Sequence, residues 1–180
     1  MKHFILSVFF ILFLSSTNSY ASGFLNSSDD DDSRTDIGIT HSLGFKLSNV
    51  SFSGLAYTHR LIEDTYIQFG GFFTYDADDS NTDYRYQLGL ELQQAIVNIG
   101  EMTLLFIIGG AIDQQRNDSN LSNPEQNWVQ FGTGISARNV TSSGLTVSFD
   151  GGVLRYRNVS GSNDSSTFGI GGGIYVGYSW

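Results

Sequence analysis

Residues 84–96 read Tyr-Arg-Tyr-Gln-Leu-Gly-Leu-Glu-Leu-Gln-Gln-Ala-Ile, and this stretch decides the fold. Tyr84, Tyr86, Leu88, Leu90, Leu92 and Ile96 fall on one side of an extended chain, opposite Arg85, Gln87, Gly89, Glu91 and Gln93. Successive side chains of a strand point to opposite faces, whereas a helix gathers its apolar residues every three or four positions. An alternation held over this length is a β-strand with one apolar and one polar face.

The same alternation recurs on both sides of this stretch, giving eight segments between Asp36 and Trp180. In the first, Ile37, Ile39, Leu43 and Phe45 share a face, and in the second (about 51–61) Leu55, Tyr57 and Leu61 do. The third sets Ile67, Phe69, Phe73 and Tyr75 opposite Gln68, Gly70 and Thr74. The fifth carries Met102, Leu104, Phe106, Ile108 and Ile112 on one face, and its other face is also largely apolar. Val129, Phe131, Ile135 and Ala137 align in the sixth, and Leu145, Val147, Phe149 and Val153 in the seventh. The eighth places Phe168, Ile170, Ile174, Val176, Tyr178 and Trp180 opposite a row of glycines. No segment sustains a helical period, so the chain is all-β.

Connections alternate in length. Tight turns are expected at 62–64, 98–101 and 141–144, with longer polar links at 76–83, 116–126 and 157–166. The only Pro, Pro124, falls in a link, where no ladder hydrogen bond is lost. The first link, around Lys46–Asn49, is shorter than this pattern wants. Turn positions predict registers: Tyr57 opposite Phe69, Leu61 opposite Thr65, Gln87 opposite Asp113, Arg85 opposite Gln115, Leu92 opposite Ile108 and Ile135 opposite Phe149. Each keeps apolar with apolar, which a one-residue slip would scramble.

Residues 1–21 read as a cleaved secretory signal: Lys2 and His3, the apolar run Phe4–Leu14, then the small-x-small site Ser19-Tyr20-Ala21. Residues 22–35 form a flexible acidic leader, and residues 36–180 form one domain. With 180 residues and no Cys, the chain excludes a disulfide scaffold, Cys-ligated metals and thiol nucleophiles. Nine basic against 18 acidic residues argue against a nucleic-acid partner. Beyond the leader the longest apolar run, Thr103–Ile112, is too short for a membrane helix but long enough for a membrane strand.

The direction of the apolar face then decides the environment. A β-sandwich needs large apolar side chains inside, but here the second face carries Gln, Ser, Arg, Glu, Asp and many Gly. That mixture suits the narrow, side-chain-filled lumen of an eight-stranded barrel whose apolar side meets lipid. Tyr57, Tyr75, Tyr84, Tyr86, Trp128, Tyr178 and Trp180 lie near segment ends, where aromatic girdles belong. The expected fold is an eight-stranded antiparallel transmembrane β-barrel with meander topology.

The C-terminal stretch Ile174-Tyr175-Val176-Gly177-Tyr178-Ser179-Trp180 resembles the terminal assembly signal of bacterial outer-membrane barrels, with Ile174, Val176, Tyr178 and Trp180 at the alternate positions. With the leader and the eight segments, residues 36–180 resemble the small outer-membrane β-barrel superfamily, which includes outer membrane protein X and the membrane domain of outer membrane protein A. The resemblance implies both termini in the periplasm, long loops outside and insertion by the barrel assembly machinery. It also implies outer-membrane lipid and lipopolysaccharide as surroundings, and a monomer.

Arg85, Gln87, Glu91, Asp113, Arg138 and Asp150 point to the expected lumen as a polar network. A solute pathway is one reading; a closed network is favoured, because buried charges must be paired. Lys46, near the first link, and Arg155 and Arg157, past the apolar part of the seventh segment, are candidate contacts to lipopolysaccharide phosphates. Asp76, Asp78, Asp79 and Asp83 read as a solvated acidic loop rather than a metal site. His41 and His59 fall on the apolar face with no neighbouring nucleophile or acid, and neither a catalytic residue nor a cofactor is expected.

The function expected is non-enzymatic: envelope integrity, or surface interaction such as adhesion to a host or environmental ligand. Alternatives are a lipid A-modifying enzyme similar to the lipid A deacylases and a narrow small-solute channel. For the deacylase reading, Asn158 stands where a His would precede Ser160. A soluble exported sandwich or lipocalin-like binder would instead partition into water without detergent.

Overall fold

A computed structural model of the chain describes residues 40–78, 81–117, 125–160 and 166–180. The leader, the acidic stretch 22–35, Ile37, Ile39, Asp79 and Pro124 lie outside the described residues. Eight strands follow in order: β1 (His41–Ser48), β2 (Gly54–Ile62), β3 (Thr65–Asp78), β4 (Asn81–Ile99), β5 (Met102–Asn117), β6 (Glu125–Val140), β7 (Leu145–Asn158) and β8 (Ser166–Ser179). Each pairs antiparallel with the next, and β1 pairs with β8 from Ser42↔Ser179 to Ser48↔Gly173. The sheet closes into a barrel, so the first and last strands supply each other's missing partner.

The registers follow from the turns. Gln87↔Asp113, Arg85↔Gln115 and Leu92↔Ile108 pair as expected, a bulge between Ala95 and Val97 shifting the register by one residue from that next to the turn. That hairpin turns through Gly100 and Glu101, with Gly100 at φ 60°, the left-handed value that primed two-residue turns require. Tyr57 faces Phe69, but Thr65 pairs with Ile62 rather than Leu61, because a bulge falls between Arg60 and Ile62.

The β6–β7 register also differs from the expected one. Ile135 faces Gly151, and Phe149 faces Ala137. The cause is a three-residue loop, Ser142–Gly144, in which the Thr141 N–H bonds the Leu145 carbonyl and the Gly144 N–H bonds the Thr141 carbonyl, both at 2.9 Å. The hairpin centre moves by one residue and the pairing by two, so every side chain keeps its face.

Following paired residues from Ser42 through Thr58, Gln68, Glu91, Gly109, Gly132, Leu154 and Gly169 climbs steadily, and the β8–β1 register extended from Ser48↔Gly173 returns the path at position 52. For eight strands such a stagger tilts them by roughly 40° and leaves an interior that side chains just fill. Polar side chains line that interior, with Thr58, Gln68, Glu91, Gln93, Ser136 and Arg138 all buried. The large apolar ones point out: Leu88, Leu90, Phe131, Phe149, Val153 and Ile170 are all more than half exposed.

The first link is the least ordinary part of the fold. Residues 49–53 turn into the barrel instead of away from it. Val50 packs with Leu105 and Ile107. Phe52 packs with Ala56, Ala111 and Tyr175. Gly89 and Gly132 make room for it: a Cβ on Gly89 would strike the Phe52 side chain, and one on Gly132 the Val50 carbonyl. Gly132→Ala is therefore expected to destabilise the folded barrel by about 1–3 kcal/mol through overpacking, read as a lower midpoint of urea unfolding. Gly151, where an added Cβ meets nothing, is the matched control.

Candidate functional site

The inward link divides the interior into two levels. Below it, toward the short turns, Lys46 sits at 1 % exposure. Its Nζ donates to Gln68 Oε1 at 2.9 Å and to both Glu91 carboxylate oxygens at 2.8 Å. Asp150 Oδ2 lies 3.1 Å from the same ammonium, yet accepts no well-aligned hydrogen bond. An ammonium carries three protons, and Gln68 and Glu91 take them, so Asp150 contributes charge alone. Gln93 donates to Glu91 at 2.7 Å, Gln68 donates to Thr58 at 2.8 Å, and Arg138 donates to Gln93. The Arg138 guanidinium also lies 5.2 Å from the Tyr66 ring centre. Two cations meet two carboxylates here, so the level is electrically balanced.

Lys46 thus belongs to the lumen and not to a rim that could touch lipopolysaccharide. It shares the inward parity of Ser42 and Ser48, and β1 continues past it before the link begins. The expected contact to phosphate is corrected on that ground.

Above the link, toward the longer connections, the interior opens into a cup of about 310 Å³ lined by Arg85, Asp113, Trp128, Gln130, Tyr156 and Thr167. Arg85 grips Asp113 side-on, Nε to Oδ1 at 3.1 Å and Nη2 to Oδ2 at 2.6 Å. Gln87 ties the link to the cup: its Oε1 accepts the Ser53 N–H at 2.6 Å, and its Nε2 reaches Asp113 Oδ2 at 3.4 Å. Asn49 ties the link sideways, taking the Gly172 N–H on its side chain at 2.7 Å and the Gln130 amide on its carbonyl.

The six residues expected to form one lumen network are therefore all inward, but in two groups. Glu91, Arg138 and Asp150 join Lys46 below, and Arg85 and Asp113 pair above. Trp128, expected in an outer girdle, has the opposite parity to Val129 and Phe131 and lines the cup.

Arg155 and Arg157 remain outside. The Arg155 guanidinium lies 5.2 Å from the Phe168 ring centre and donates to Ser166 Oγ at 3.2 Å. At the other end, Ile174, Val176, Tyr178 and Trp180 point outward from β8 and its terminus. The Trp180 ring lies 5.8 Å from that of His41 and 6.3 Å from that of Tyr178. His41 opens β1 instead of lying mid-strand, pairs with His59, and shares a 2.6 Å hydrogen bond between its Nδ1 and the Tyr57 hydroxyl. Both histidines thus belong to an aromatic rim at the short-turn end.

Ser160 follows β7 at the opposite end, where its hydroxyl accepts the Asn127 N–H. Among the described residues no group of three His, Asp or Glu is placed to hold a metal. Comparison of the chain with protein-family models, curated proteins and solved structures gives no match.

Proposed function

We propose that the chain is a bacterial outer-membrane β-barrel of the small eight-stranded type, exported by its leader and inserted by the barrel assembly machinery. Its work is non-enzymatic, in envelope integrity or surface interaction. One observation carries the reading: the barrel is inside-out for water, with Leu88, Leu90, Phe131 and Phe149 outward and Lys46, Glu91, Arg138 and Asp150 within. Soluble monomers rarely expose contiguous apolar surface of that extent, whereas a hydrocarbon surrounding favours it. Tyr75, Tyr84 and Tyr86 toward one end and Tyr57, Tyr178 and Trp180 toward the other supply the two interfacial belts. The balanced charges and the inward link fill the lower part of the bore, which favours a blocked lumen over a solute channel.

The surface-interaction half rests on the uneven strand lengths. β3 to β7 extend past β1 and β2 at the end away from the short turns, so a sheet projects there. Arg155 and Arg157 stand on the outside of that projection, where a guanidinium can fork onto a lipid phosphate.

Spin labels at positions 90 and 87 test the membrane reading. A label replacing Leu90 is expected to collide with lipid-soluble oxygen, and one replacing Gln87 to be shielded from it. The unlabelled protein is expected to shift its gel mobility between unboiled and boiled samples. Equal shielding of both labels would overturn the proposal.

A further inference from the structure

The two shortest strands leave the barrel wall interrupted. β1 stops at Ser48, paired with Gly173, and the β2–β3 ladder begins at Leu55↔Gly71. β3 runs on to Asp78, and β8 begins as early as Ser166. Among the described residues, 72–78 of β3 and 166–171 of β8 therefore have a strand neighbour on one side only. The inward link forms the sill of this interruption through the bond from the Asn49 N–H to the Gly172 carbonyl.

Side chains mark the interruption on both sides of the wall. Ile170 at 89 % and Phe168 at 74 % are the most exposed large apolar side chains among the described residues, with β7 flanking them on one side only. On the facing strand Phe72 points inward just above the sill, and the Arg85 guanidinium lies 5.4 Å from its ring centre. A row of groups therefore runs from the edge of β3 into the cup: Phe72, Arg85, Asp113.

The chemistry of the cup selects its occupant. Arg85 and Asp113 neutralise each other, and their side-on pairing leaves Nη1 and further carboxylate lone pairs without a bond among the described residues. Donors and acceptors thus stand side by side next to Trp128, Tyr156, Gln130 and Thr167. Neighbouring hydroxyls can bond to both kinds of group while the C–H face of their ring lies on an aromatic side chain. A bare anion would meet Asp113.

We propose that this cup binds the sugar head group of a glycolipid-type amphiphile, which enters sideways through the interruption between β3 and β8 and leaves its chain against Phe168 and Ile170. The proposal rests on the membrane reading above, since only a chain lying beside the barrel can use a side entrance.

The test is solution NMR of the Trp180→Phe protein in dodecylphosphocholine micelles, with dodecyl maltoside added as the minor component. Trp128 is then the only indole. Its N–H signal is expected to move saturably with dodecyl maltoside and to stay in place with maltose alone. Arg85→Leu, which strips the head-group contacts, and Ile170→Ser, which strips the chain contact, are each expected to weaken binding roughly tenfold or more, the scale of one lost charged or apolar contact.

A strictly linear shift, or equal saturation by maltose, would overturn the side-entry site. Contacts between micelle chain protons and Leu90 are read in the same samples. Their absence removes the membrane reading, whereas their presence without a saturable Trp128 shift removes the cup proposal alone. The same contacts report whether each variant is folded.

Discussion

Glu91→Gln is expected to lower the free energy of unfolding by about 3–5 kcal/mol, measured by urea titration of the protein reconstituted in lipid vesicles. Glu91 is 1 % exposed and takes two of the three Lys46 hydrogen bonds while accepting a third from Gln93. Glutamine keeps the volume but removes the charge. Lys46 and Arg138 then face Asp150 alone, leaving one uncompensated positive charge among buried side chains. A second variant separates charge from packing. Lys46→Met combined with Glu91→Gln restores neutrality, so the double change is expected to recover most of the loss. A double variant as unstable as the single one would show that the hydrogen bonds, not the charge balance, hold this level together.

Leu90→Arg is expected to cost about 2–4 kcal/mol in the same vesicles, the penalty of a cation on the lipid face near mid-membrane. Leu90 lies on β4 between Phe69 of β3 and Gly110 of β5 and is 54 % exposed, so an arginine would fit sterically. In a water-soluble barrel the same exposed substitution would stay within about 0.5 kcal/mol. A small effect would therefore count against the membrane reading directly, independently of any loop or ligand.

Much of this architecture is legible in the sequence because alternation and parity are local. The β4 stretch alone separates Leu90 from Glu91, and the turn near residue 100 brings β5 back beside β4. Parity also carries Lys46 inward with Ser42 and Ser48, a signal that outweighs its nearness to a link. The inward link itself is harder to read, since nothing in a short polar-flanked connection says which way it bends. One trace exists: the second apolar face of the fifth segment. Leu105 and Ile107 are aliphatic side chains turned inward on the same strand, and the partner that explains them is Val50. Two bulges, at Leu61 and Ile96, and the three-residue loop after Thr141 escape the sequence because they depend on backbone geometry, not on side-chain pattern.

Asn49 holds the last strand through Gly172 and the sixth through Gln130, while Val50 and Phe52 sit among side chains of the second, fifth and eighth. Contacts so distant along the chain cannot form one hairpin at a time. Seam zippering and plug docking are accordingly one cooperative event, and a nascent chain lacking its final strand would keep its hairpins yet hold the gateway between its ends ajar.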